Sequence, residues 1–265
     1  MRTLCPRPLD DGANQFLILT KKQAEFKLKI RYNINIMTIP YPLISVIVPA
    51  RNEEKTIAKC LKAIKDQNYP NKEIIVVSNN SQDKTIEIAK KFTNKVFNEP
   101  VLGAAKARNT GAKKAQGSIL VFIDADTYMP KGLLQKVIRA INEGYVAGGA
   151  RFKRDLKSKF DAAMYLQNSI NNILLYKLRI PNPCSYTPFV FCKKEDFKKI
   201  KGFPEDLIAT EEIRLLSKFS KLGKLKFITS EKILTSARRK NYIFRPTYLF
   251  FFPKSRKIKY RDNIR

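Results

Sequence analysis

The sequence predicts an α/β fold: a mostly parallel sheet covered by helices and joined by right-handed crossovers. Three observations carry the prediction. From Leu43 onward, short apolar runs rich in β-branched residues alternate with amphipathic stretches, the pattern of successive strand–helix units. The runs LISVIVP, EIIVV and SILVFI are almost wholly apolar, as expected of strands buried on both faces. At 265 residues, with 44% hydrophobic and 28% charged, the chain is long and apolar enough for a sizeable core.

Taken in order, residues 43–49 (LISVIVP) read as the first strand. Asn52, Glu53 and Glu54 follow; Asn52 suits a helix N-cap, and the two acids suit the positive end of its dipole. Ile57, Cys60, Leu61 and Ile64 give that helix an apolar stripe. Residues 73–77 (EIIVV) read as the second strand, 84–92 as the second helix and 95–97 as a short strand. A third helix spans 104–115, a third long strand 118–123 (SILVFI), and a further helix 133–142. Beyond these, 145–150 read as a strand and 158–178 as a long helix. Pro181, Pro183 and Pro188 break the chain into a loop before a strand over 187–192. A helix over 211–222 and a strand from 226 complete the pattern. In such sheets ligands bind at the carboxyl ends of the strands.

The sequence divides into three parts. Residues 1–42 form an N-terminal extension, with Met37 read as the natural start and a genuine basic arm as the alternative. Nothing before Met37 reads as a signal peptide. Residues 43–235 form the α/β domain. Residues 236–265 form a basic tail interleaved with Tyr248, Leu249, Phe250, Phe251, Phe252 and Tyr260.

Composition excludes several chemistries. The chain has no histidine, which rules out His-based triads, His-ligated zinc and imidazole acid–base catalysis. Cys5, Cys60, Cys184 and Cys192 form no CxxC pair, so neither a zinc ribbon nor a disulfide scaffold is suggested, and free thiols fit a reducing compartment. Fifty-two Lys and Arg against 23 Asp and Glu give a net charge of +29. Such a field attracts polyanions: nucleic acid, anionic lipid or diphosphates. The bland alternative is a basic surface from a Lys- and Ile-rich composition. No apolar run reaches the roughly 18 residues needed to span a bilayer.

Five stretches can carry chemistry. Asp124-Ala125-Asp126 directly follows SILVFI, and on extended backbone residues two apart point the same way. Two hard oxygen ligands there suit Mg²⁺ or Mn²⁺ and a substrate's phosphates, or form a plain acidic turn. Ser78 to Asp83 follows the second strand, where small polar groups make turns or recognise a base or ribose. Pro49, Ala50, Arg51, Asn52 and Glu53 follow the first strand, as a ligand loop or a simple helix start. In Gly103–Gly111 (GAAKARNTG), Arg108 can reach phosphate and Asn109 a sugar, or the helix packs small residues on the sheet. Glu211 and Glu212 open a helix, where the dipole favours acids. With no histidine in the chain, a carboxylate there is also the natural general base.

In this order, these segments resemble glycosyltransferase family 2, whose fold is GT-A. SVIVPARNEEKTI looks like that family's first strand and nucleotide loop, and IIVVSNNSQDKT like its second strand and base-reading loop. LGAAKARNTGAKKAQGSILVFIDADT matches its central segment, ending in the metal-binding DxD. FVFCKKEDFKKIKGFPEDLIATEEIRLLSKFSKLGKLKFI is similar to the acceptor half, where a Gly-Phe-x-Glu run precedes the acidic base. The resemblance implies a GT-A, Rossmann-like domain and transfer of one sugar from a nucleotide-diphosphate donor, with a Mg²⁺ or Mn²⁺ cofactor and inversion at the anomeric carbon. Carried over residue by residue, Asp126 and Asp124 would hold the metal, with Asp126 the direct ligand. Pro49, Ala50, Arg51, Glu53, Ser78, Asn79, Asn80, Arg108 and Asp124 would bind donor. Glu212, with Glu211 beside it, would be the base.

Three departures bear on these roles. Ser78 and Asn79 stand where an Asp pair is common, and Asn offers donors as well as acceptors. The base motif reads Glu-Glu rather than Glu-Asp. The QxxRW motif of processive synthases is absent, and Arg238 and Arg239 occupy that neighbourhood, as diphosphate contacts or as a solvated basic face. A single transfer is expected rather than polymerisation. The acceptor would be a saccharide or lipid-linked. The tail would lie on an anionic membrane surface, or else pack on the domain, which places the protein in the cytoplasm, peripheral on the inner face of the membrane. Nucleic acid is not expected as a partner, because the aromatics concentrate in the tail and no RNA-binding motif occurs. The competing reading is a catalytically inactive relative that binds nucleotide or partner proteins.

Overall fold

The computed structural model describes residues 41–154, 188–206 and 211–235. The chain divides between Tyr41 and Pro42, and the architecture below belongs to the second unit. The extension over 1–40, the helix expected over 158–178, the proline loop before Pro188, and the tail with Arg238 and Arg239 lie outside the described residues.

The strands are β1 (Ile44–Ala50), β2 (Lys72–Ser78), β3 (Val96–Asn98), β4 (Ile119–Ile123), β5 (Thr127–Tyr128), β6 (Ala147–Arg154), β7 (Phe189–Lys193) and β8 (Leu225–Thr235). They form one sheet in the order β3-β2-β1-β4-β7-β6-β8-β5. The pairs β1–β2, β1–β4, β2–β3 and β6–β8 are parallel. The strand β7 runs antiparallel to both β4 and β6, and β5 runs antiparallel to β8. The sheet is thus mostly parallel, as expected, with the reversal at β7 joining two parallel blocks.

The helices are α1 (Ile57–Lys65), α2 (Thr85–Lys90), α3 (Ala104–Lys114), α4 (Leu133–Asn142), α5 (Lys194–Lys199) and α6 (Glu211–Phe219). Alternation along the central strands builds two cores. Val46 and Val48 of β1 and Val121 and Ile123 of β4 face one side, where Ile57, Cys60, Leu61 and Ile64 of α1 and Leu133, Leu134 and Val137 of α4 pack on them. Ile47, Leu120 and Phe122 face the other side, against Ala105, Ala107 and Ala112 of α3, Phe197 of α5 and Leu215, Leu216 and Phe219 of α6. The sheet is the middle layer between two helical layers.

The helix α3 sits close because its buried face is small. A Cβ added at Gly111 would stand 2.4 Å from the Ile47 Cγ2, so the small residues of GAAKARNTG do pack tightly on the sheet.

The expected start of the first helix is corrected. Asn52 is not its N-cap: it holds a left-handed φ of 52°, and α1 begins at Ile57. The Glu53 carbonyl accepts from the Thr56 and Ile57 amides, at 3.0 and 2.9 Å, so an extra turn precedes the helix. That displacement leaves residues 51–56 as a loop at the carboxyl end of β1.

Candidate active site

Three loops meet at the carboxyl ends of β1, β2 and β4. The first two are laced together backbone to side chain. The Glu53 amide donates to the Thr85 hydroxyl at 2.7 Å and the Glu54 amide to the Asp83 carboxylate at 3.0 Å. The Gln82 amide donates to the Asn52 side-chain oxygen at 2.9 Å, and the Asn79 amide to the Ala50 carbonyl at 2.8 Å. Pro49 and Ala50 end β1, with Arg51 next, half-buried. Glu53 is buried, and its carboxylate accepts from the Thr56 hydroxyl at 2.6 Å. Ser78 is fully buried and its hydroxyl accepts from the Ser81 amide. Asn80, also left-handed at φ 58°, stays exposed.

Asn79 has a different use from the base contact that its position suggests. Its amide nitrogen donates to the Glu99 and Val101 carbonyls, at 3.0 and 2.9 Å, and its oxygen accepts from the Gly103 amide at 2.8 Å. Both donor hydrogens are spent on the 99–103 segment that feeds α3.

The third loop begins at Asp124, and here the chain gathers its acids. The Arg108 guanidinium of α3, 5% exposed, sits among three carboxylates. One Nη lies 2.8 Å from Asp124 and 2.8 Å from Glu212; the other lies 3.0 Å from Glu211. Sequence reading gave Arg108 a phosphate, whereas the structure spends its guanidinium on carboxylates. Sequence separations of 16 and 103 residues are bridged here, so spacing could not have revealed the group. The Phe203 ring lies under the same guanidinium, 5.3 Å from centroid to Cζ, an arrangement that favours the cation.

One cation against three carboxylates, those of Glu211 and Glu212 buried and that of Asp124 half-buried, leaves the group net negative. Burial pushes the Glu212 carboxyl up to about 8; Arg108 opposes the rise, and Glu211 and Asp124 add to it. The same acids hold the Arg108 guanidinium firmly protonated despite its burial. Beneath Asp124, the Cys60 thiol donates to its carbonyl at 3.6 Å. Burial first, then the Asp126 and Asp124 carboxylates, push that thiol far up, so it stays neutral.

Asp124 and Asp126 are both half-buried, on either side of the buried Ala125. Their hard oxygens at a strand end suit Mg²⁺ or Mn²⁺. Among the described residues no group of three or more His, Cys, Asp or Glu side chains converges as a complete metal cage.

Two residues, Asn109 and Phe203, tie α3 to the turn that precedes α6. Asn109, read as a sugar contact, spends its carboxamide on the Phe203 backbone and on Glu205. The sequence signal for Phe203 is the Gly-Phe-x-Glu run over residues 202–205. An open depression of about 660 Å³ is lined by Glu54, Gln82 and Asp83 of the laced loops together with Lys84 and Glu87, and by none of the Arg108 group.

The comparisons with known proteins agree with this fold. Residues 45–201 match the model of "Glycosyl transferase family 2". Glycosyltransferase AglE of Haloferax volcanii is 29% identical over 198 residues, covering 71% of this chain and 64% of that protein. The chain spans less than two thirds of the length of the curated relatives it matches. Among solved structures, Staphylococcus aureus TarS 1–349 in complex with UDP-GlcNAc aligns with a TM-score of 0.61 at 23% identity, over 77% of this chain and 61% of that one. A Pyrobaculum calidifontis mannosyltransferase in complex with GDP-Man and Mn²⁺ aligns at 0.60 and 23%, over 76% of this chain and 59% of that one. At these identities the two structures speak to the fold.

Proposed function

The chain belongs to glycosyl transferase family 2, and from that membership we propose that it moves one sugar from a nucleotide-diphosphate donor to an acceptor hydroxyl. The acceptor is a saccharide or a lipid-linked molecule. The observation that carries the proposal is an acidic centre in a strongly basic chain. With a net charge of +29, the protein gathers Asp124, Glu211 and Glu212 around a single guanidinium, with Asp126 beside them. A diphosphate is anionic, and so acids at its site call for a divalent cation between the two.

Asp126, with Asp124, would hold Mg²⁺ or Mn²⁺, which when bound offsets the charge of the departing diphosphate. Glu212, in its ionised form, accepts the acceptor's hydroxyl proton, with Glu211 beside it, so transfer gains as pH rises toward about 8. The acceptor oxygen then bonds to the anomeric carbon as the bond to the diphosphate oxygen breaks, and the configuration inverts. Arg108 keeps the base and the first metal-side acid at fixed separation. The laced loops ending in Arg51, Glu53 and Asn80 form the nucleotide end, at the carboxyl edge where open α/β sheets bind ligands. Arg238 and Arg239 would contact the donor diphosphate, and the basic aromatic tail would bring the domain to an anionic membrane surface. Among the described residues no helix is long and apolar enough to cross a membrane.

The test is a screen of UDP-, GDP- and dTDP-sugars with Mn²⁺ or Mg²⁺. Metal-dependent donor binding and nucleotide release are expected, with both lost in Asp126→Ala. Glu212→Gln is expected to keep donor binding and lose about 10²- to 10⁴-fold in transfer, the usual weight of a general base. Folded wild-type protein that binds no donor with metal present would overturn the reading. Binding without turnover would favour an inactive nucleotide-binding relative.

A further inference from the structure

We propose that Asn109 is a positioning residue, which sets the acid centre through Phe203 rather than by touching a sugar. The proposal rests on the glycosyltransferase reading above and deepens it. Arg108 and Asn109 are consecutive on α3, and both reach into the acceptor half of the chain. Asn109 grips one residue at both ends: its amide nitrogen donates to the Phe203 carbonyl at 3.0 Å, and its oxygen accepts from the Phe203 amide at 3.0 Å. The second amide hydrogen goes to the Glu205 carboxylate at 2.8 Å. The residue is 9% exposed. Its two donor hydrogens are therefore committed, and a sugar hydroxyl would have to displace one of them.

What this grip fixes is a ring. Phe203 is buried, meets Phe122 of β4 edge-on at 4.9 Å and Phe197 of α5 at 5.8 Å, and places its face under the Arg108 guanidinium. Arg108 in turn orders Asp124, Glu211 and Glu212. The segment is tied from the far side as well: Lys218 of α6 donates to the Ile200 and Gly202 carbonyls, at 3.1 and 3.3 Å. The 200–205 turn is thereby held between α3 and α6, the two helices that carry the cation and its glutamates. Gly202 makes the approach feasible. It holds a φ of 69°, and a Cβ there would stand 2.7 Å from the Asn109 oxygen. A carboxamide is required because the grip needs donors and an acceptor at once; a carboxylate could not donate to the Phe203 carbonyl and would face Glu205.

Three variants test this: Asn109→Ala, Asn109→Asp and the milder Phe203→Leu, which keeps the backbone grip but removes the ring. Each is expected to lower kcat by about 10- to 100-fold, on the scale of a sub-ångström to 1 Å misplacement of a reacting group, with donor KM held within about twofold. Since donor binding is spared, the pattern differs from that of Asp126→Ala. A raised donor or acceptor KM at unchanged kcat would make Asn109 a ligand contact and overturn the proposal. So would unchanged kcat below the melting temperature in Phe203→Leu, which decides the matter if the Asn109 variants do not fold. Amide hydrogen exchange supplies a readout independent of turnover, and so separates this proposal from the function it rests on. In Asn109→Ala the amides of α6 are expected to exchange at least about tenfold faster while those of β1 and β2 hold, as local opening requires. Unchanged α6 exchange would overturn the proposal even if wild-type protein transferred no sugar.

Discussion

At Asn79 a carboxamide stands where the resemblance to the family leads one to expect an acid, and the structure shows what the exchange supplies. An Asp there could accept from the Gly103 amide but could not donate to the Glu99 and Val101 carbonyls. Asn79→Asp therefore removes two hydrogen bonds and turns a buried carboxylate toward two carbonyl oxygens. Each buried polar group left unpaired costs about 1–3 kcal/mol. A loss of at least about 2 kcal/mol in urea unfolding is expected, with weaker rather than stronger donor binding, because the 99–103 segment loses its tether. Stability equal to wild type would show that the tether is dispensable. Single residues also mark the limits of sequence reading. Asp124, Glu211 and Glu212 were legible as acids at element ends. Their convergence on Arg108 was not, since no local pattern links residues a hundred positions apart.

The elements were more legible than their junctions. Continuous β-branched runs located β1, β2 and β4, and the apolar stripe of α4 placed its bounds at 133–142, as observed. The two-residue β5 and the six-residue α5 were missed: β5 is too short to alternate and exists by pairing with β8, and α5 buries a single apolar residue, Phe197, so it has no stripe. The strand starts are joined by a device equally invisible from sequence. Glu73, at the beginning of β2, accepts from Ser45 of β1, from Lys95 before β3, and from the Gln116 and Gly117 amides before β4. Burial opposes its charge, but these four donors outweigh it and hold the carboxyl below its usual range. The sign for stability follows. A depressed folded-state value stabilises the protein fully above the unfolded value of about 4.3, and the contribution is lost as pH falls through the folded value. Glu73→Gln is expected to cost about 1–3 kcal/mol at pH 7, with the gap to wild type closing below about pH 4. A gap that persists undiminished at pH 3 would mean that shape rather than charge holds the seam.

Over the whole molecule, the net charge of +29 and the acidic centre pull in opposite directions, and salt separates them. With 52 basic residues facing 23 acids, most cations have no acid to pair with, and mutual repulsion works against the compact state. Raising NaCl from 0.1 to 1 M shortens the screening length from about 10 to 3 Å. The repulsion is then suppressed, and the exposed pairs that are lost with it, such as Lys62–Asp66 and Lys91–Glu87, are worth at most about 1 kcal/mol each. Thermal stability is therefore expected to rise with NaCl, by about 2–4 °C for each kcal/mol of repulsion relieved. Donor affinity is expected to fall several-fold over the same range, because a diphosphate drawn in by a basic field loses that attraction when the field is screened. The rate at saturating donor should change much less, since Arg108, Glu211 and Glu212 are buried and feel little of the salt. Melting curves and steady-state rates across the salt series measure all three. A kcat that falls with salt as steeply as donor affinity would place the base in contact with bulk solvent, contrary to the burial of Glu211 and Glu212.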